Sequence, residues 1–106
     1  MRTLKFIVDK QIIKQDPSCN FDGIVPGTVG YLKAEFSFSS EWEDMVKVVA
    51  FYRNGYECRP RKLEDGKSCI IPSEALTSRK FTISVLGKNK DQRLITNKIE
   101  VTQNGG

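Results

Sequence analysis

The chain has 106 residues, 39% of them hydrophobic and 28% charged, which is enough for one packed core and too little for two. Seventeen Lys and Arg stand against thirteen Asp and Glu, a net charge of +4 spread along the chain rather than gathered in a tail. With no histidine, the commonest neutral-pH base and zinc ligand is missing and Ser–His and Cys–His nucleophiles are excluded.

The opening Met1 to Asp9 meets an acid before an apolar stretch of signal-peptide length develops, so the protein is expected to stay in the cytoplasm or leave it by lysis. The longest apolar runs, such as Val48 to Tyr52, fall far below the roughly 20 residues of a membrane span. Leu4, Phe6 and Val8 alternate with Lys5, Ile7 and Asp9, the period of a half-buried strand. A short strand is expected at Gln11 to Lys14. Pro17, Gly23, Pro26, Gly27 and Gly30 then mark a loop lying along the sheet edge. Leu32, Ala34, Phe36 and Phe38 recur at every second position, which predicts a central strand.

From Ser40 onward two readings compete. Ser40 with Glu43 has the form of a capping box, and Trp42, Met45, Val46, Val49 and Ala50 follow helical spacing. Against this, Val46, Val48, Val49, Phe51 and Tyr52 suit a pleated surface. The balance favours one helical or irregular turn at Ser40 to Asp44, with Trp42 closing one end of the core, then a strand from Val46 to Arg53. Asn54-Gly55 is the preferred centre of a type I′ hairpin. That register places Arg53 opposite Tyr56 and Phe51 opposite Cys58, with Val49, Phe51 and Cys58 facing the core.

A strand ending near Leu63, a tight turn at Asp65-Gly66, a strand from Lys67 to Ile71 and a short connector at Pro72 to Leu76 follow. Phe81, Ile83 and Val85 alternate, Gly87 to Asp91 reads as a polar turn, and Leu94 to Thr102 as the last strand. The tail, 103–106, is expected to fray. About eight short strands with turns between them predict an all-β fold, an antiparallel β-sandwich of immunoglobulin-like or jelly-roll-like kind, as one domain over 1–106.

Little chemistry is spelled out. Cys19, Cys58 and Cys69 have neither metal-knuckle nor redox spacing; they read as buried reduced thiols, while a Cys58–Cys69 disulfide would need adjacent strands and an oxidising compartment. Glu41, Glu43 and Asp44 form an acidic cluster beside Trp42, better explained by turn capping than by a glycosidase pair. Neither a P-loop nor a dinucleotide fingerprint occurs. The chain therefore reads as no enzyme, without cofactor or metal.

Surface recognition is left. Arg53, Arg59, Arg61 and Lys62 around Tyr56 combine phosphate-contacting and stacking chemistry, although solvated strand edges explain them equally well and nucleic acid is not the expected partner. Tyr52, Arg53, Tyr56, Arg59 and Arg61 form the candidate protein-binding patch, since Tyr and Arg are enriched in hot spots.

Four stretches, Leu4 to Gln11, Gly30 to Ser39 with Trp42 after it, Cys69 to Leu76, and Phe81 to Lys88 with Thr96 to Lys98, together resemble a family of small phage and prophage proteins of Gram-positive gut bacteria. Similar modules stand at the amino termini of phage tail-fibre and baseplate proteins. The resemblance implies a β-sandwich that attaches other parts or assembles with copies of itself, a virion structural or attachment module working through protein–protein contact. No fibre or receptor-binding region follows Gly106, which weighs against a fibre anchor. The alternative is a phage-encoded inhibitor that binds a host defence protein or signalling molecule. The expected location is the virion or the host bacterial cytoplasm.

Overall fold

The computed structural model describes residues 1–104. It is all-β: ten strands in two packed sheets, with two 3-10 turns. The strands are β1 (Arg2–Asp9), β2 (Ile12–Gln15), β3 (Leu32–Phe38), β4 (Val46–Arg53), β5 (Tyr56–Glu57), β6 (Arg61–Lys62), β7 (Ser68–Ile70), β8 (Lys80–Lys88), β9 (Arg93–Ile95) and β10 (Ile99–Thr102). The first sheet has the order β2-β1-β3-β7. In the second, β8 and β4 are central, β10 and β9 flank β8, and β5 and β6 flank β4. Among the described residues no helix is long and apolar enough to cross a membrane.

The expectation of a purely antiparallel sandwich is corrected at one pairing: β1 and β3 run parallel, from Arg2 opposite Leu32 to Val8 opposite Phe38. The reason is the 16–31 loop, which carries the chain back before β3 begins. As expected, this loop lies along the β1 edge. Asp16 N–H donates to Lys5 O, and the Arg2 guanidinium donates to Asn20 O and Asp22 O.

The strand count exceeds eight because two predicted strands break, the one ending near Leu63 into β5 and β6 and the last one into another two. The stretch expected as one last strand splits into β9 and β10 at Thr96 to Lys98. Buried Thr96 exchanges backbone and hydroxyl bonds with Val85. Asn97 turns toward the other sheet: its Oδ1 accepts from Ile13 N–H at 2.8 Å and its N–H donates to Gln11 O. This stitches β2 to the second sheet. The tight turn expected at Asp65-Gly66 is present, and it carries the chain across from β6 in the second sheet to β7 in the first. Asp65 holds that crossover by accepting from Lys67 N–H and Ser68 N–H.

The core lies where the alternation placed it. Leu4, Phe6 and Val8 of β1 and Leu32, Ala34 and Phe36 of β3 face Val49 and Phe51 of β4 and Phe81, Ile83 and Val85 of β8. Phe6 stacks on Phe36 with ring centroids 5.4 Å apart, and the aromatic series continues through Phe38 to Trp42. Asn54 and Gly55 both have positive φ, 51° and 81°, as a type I′ hairpin requires.

At the far end the 3-10 turn at Ser40–Trp42 seats Trp42, fully buried, with its indole N–H donating to Lys10 O at 2.7 Å. The Ser40–Glu43 capping box does not form; Glu43 N–H instead bonds Ser40 O. Gly87, expected in a polar turn, is a buried position of β8.

The tail expectation is likewise corrected. Gln103 is 2% exposed, donating its side-chain amide to Leu76 O and Ser78 O, and Asn104 accepts from Gly23 N–H. These bonds outweigh the chain entropy that would fray an end. Positions 105–106 of the expected frayed tail lie outside the described residues.

Candidate functional site: the outer face of the second sheet

The five residues of the expected patch do not share a surface. Arg53 and Tyr56 face one another across the hairpin on the core-facing side of the sheet, where it runs out past the core. Tyr52, paired with Glu57, points to the opposite side, and the Lys98 ammonium sits 4.2 Å from its ring centroid. Arg59 lies beyond β5, its N–H donating to Glu74 Oε1. Arg61 pairs with Val49 and opens onto a cleft of about 590 Å³ between β6 and β7, beside Cys69. Alternation across a two-residue hairpin sends neighbours to opposite faces, so closeness in sequence does not make one patch.

Only Tyr52 reaches the surface that stands out. Along β4 the outward residues are Val46, Val48, Ala50 and Tyr52; on β8 opposite them stand Lys88, Leu86, Ser84 and Thr82, and on β9 Arg93 and Ile95 lie beside Lys88 and Leu86. Val46 and Ile95 are more than half exposed, while Val48, Ala50 and Leu86 are half-buried and Ser84 between them is buried. The result is an apolar band across the outside of the sheet with two shallow depressions. One, of about 450 Å³, lies among Val46, Val48, Leu86 and Lys88. The other, of about 300 Å³, runs past Ala50 and Ile95 to Tyr52.

The first sheet is different. Its outward positions mix charged Lys5, Asp9, Lys14, Lys33 and Glu35 with apolar Ile7, Ile12 and Ile70, so charge interrupts its apolar side chains as on a solvated face. A strand apolar on both faces reads as one covered on both, and β4 is such a strand. The signal was present in the sequence, because Val46, Val48 and Ala50 interleave with Val49 and Phe51. It served there only to decide strand against helix.

Glu41 is held below the usual carboxylate range by the Ser39 hydroxyl and its own backbone N–H, an electrostatic arrangement that suits a turn and leaves no proton to donate near neutrality. The three cysteines are free; Cys58 follows β5 and bonds Phe51 O of the second sheet, while Cys69 lies in β7 of the first. Burial raises the Cys58 thiol and pushes Cys69 up to about 12, so the thiol beside the Arg61 cleft is protonated at neutral pH and a poor nucleophile. Among the described residues no three Cys, Asp or Glu side chains converge as a metal site.

No protein-family model, curated protein or solved structure matches the chain.

Proposed function

We propose that this protein is a non-enzymatic binding module that works through protein–protein contact, using the outer face of β4, β8 and β9, and that it serves as a structural or attachment part of a bacteriophage particle. The observation that carries the contact role is the apolar band of Val46, Val48, Ala50, Leu86 and Ile95 on the outside of a sheet whose inside is already a complete core. Contiguous apolar surface of this kind marks interaction sites. The phage setting is supported by the resemblance of the four stretches described above.

A photo-cross-linking amino acid placed at Ile95, with Lys33 on the outside of the first sheet as control, tests this in phage-producing cells. Cross-links to a phage structural protein from position 95 and none from position 33 are expected, together with the protein in purified virions by mass spectrometry. Virions lacking the protein, with position 95 joined to a host protein, would replace the virion role by the inhibitor reading. Equal yields from both positions would remove the face from consideration.

A further inference from the structure

Resting on that reading of the face, we infer that its partner is a different protein whose apolar ridge is flanked by carboxylates, not a second copy of this chain. The charges around the apolar band are one-sided. Lys62 stands opposite Val48, Lys88 opposite Val46, and Arg93 opposite Lys88. Among the described residues none of these three cations is in an ion pair. The acids of the face lie nearer Tyr52: Glu57 opposite Tyr52 on the rim of the second depression, and Glu100 opposite Thr82 and bridged to Lys80 at 3.1 Å. Covering Val46, Val48, Leu86 and Ile95 therefore takes water from three unneutralised cations. Carboxylates on the partner offset that cost, and cations on the partner would add repulsion to it.

The same register argues against self-association. Two copies meeting face to face are related by a two-fold axis in the plane of contact. An axis along the strands, between β4 and β8, sets Glu57 over the copy's Glu100. An axis across the strands through Val48 and Leu86 sets Lys62 on the copy's Lys62. Moving that axis to Ala50 and Ser84 takes Leu86 off its counterpart onto Thr82 and puts Lys88 on the copy's Lys80. Each of these three arrangements joins like charges, whereas an acidic-flanked partner meets neither conflict.

Methyl NMR tests the inference with defined probes: two synthetic 18-residue amphipathic helices with the same leucine stripe, flanked in one by Glu and in the other by Lys. The Glu-flanked peptide is expected to shift the methyls of Val46, Val48, Leu86 and Ile95 and to bind at least tenfold more tightly than the Lys-flanked one. In Lys88→Glu/Arg93→Glu, which changes only exposed side chains, the preference reverses. Equal binding of both peptides on these methyls would overturn the charge rule while leaving the face a docking surface, and absence of shifts with either would overturn this inference without touching the cross-linking result. A 20-nucleotide single-stranded DNA that moves the same methyls with steep loss in salt would reassign the partner to nucleic acid. A dimer in sedimentation that Ile95→Glu dissolves would reassign it to a second copy.

Discussion

The indole of Trp42 fills the place where a side chain at Gly87 would begin: a Cβ built on Gly87 lies 2.6 Å from Trp42 Cζ3 and 2.7 Å from Cε3, with the Met45 sulfur at 3.0 Å. The neighbours are a buried ring and a buried thioether, so neither can swing away cheaply. Gly87→Ala is expected to destabilise the fold by about 1–3 kcal/mol through overpacking. Replacing Trp42 by Leu in the same chain should recover part of that loss, giving a non-additive double-mutant cycle in urea unfolding. Strict additivity of the two changes would show that the contact is not the cause.

Asn97 joins the two sheets on the β2 side. Asn97→Ala removes the acceptor from Ile13 N–H and is expected to cost about 1 kcal/mol, since the site is partly buried and water replaces only some of the bond. Asn97→Asp keeps an acceptor and should lose less. Amide exchange gives the local readout: Ile13 loses protection in the alanine variant while amides in the middle of β8 do not. Unchanged exchange at Ile13 would mean that the bond contributes nothing.

At the crossover between sheets, Asp65 is held well below its ordinary value of 3.8, first by the Ser68 hydroxyl and then by the backbone N–H groups of Lys67 and Ser68. A depressed folded-state value gives stability that is present above the unfolded value, about 3.9, and lost as pH falls through the folded one. The melting temperature of Asp65→Ala should therefore fall below that of the parent above about pH 4, with the gap closing as the solution is acidified below it. A gap of constant size at all pH values would mean that the carboxylate charge plays no part.

Cys69 is held near 12 chiefly by burial, and only thiolate reacts with disulfide reagents. At pH 8 its modification in the native protein should be at least about 100-fold slower than in urea, where the value returns to about 8.5. Peptide mass spectrometry of the quenched reaction reads this directly. Native and denatured rates within a few-fold of each other would place the thiol in water.

The layers of the fold were legible because Leu4, Phe6 and Val8, and Leu32 to Phe38, repeat with the period of the pleat, and because Asn54-Gly55 requires a hairpin. What escaped depends on contacts distant in sequence. The parallel pairing of β1 with β3 follows from the path of a loop that has no period of its own. Gly87 looks like a turn residue until Trp42, 45 positions earlier, is seen to occupy its side-chain space. Gln103 looks like a polar tail until the carbonyls of Leu76 and Ser78 are brought to it.

Tyr52, Arg53, Tyr56, Arg59 and Arg61 do not form one surface for a related reason: they share residue type around one turn, whereas the apolar face is built from β4 and from the β8–β9 pair that folding brings beside it. Val46 and Val48 come from β4, Leu86 from β8 and Ile95 from β9. None of the three segments is exceptional alone.

The two long sides of the sandwich are fastened unequally. Asn97 binds the margin beside β2 through a side chain, whereas on the other side the backbone itself crosses from β6 to β7 at Asp65, over the cleft that holds Arg61 and Cys69. One margin is thus closed by a side chain and the other by the chain itself, so a point substitution reaches the first fastening and not the second.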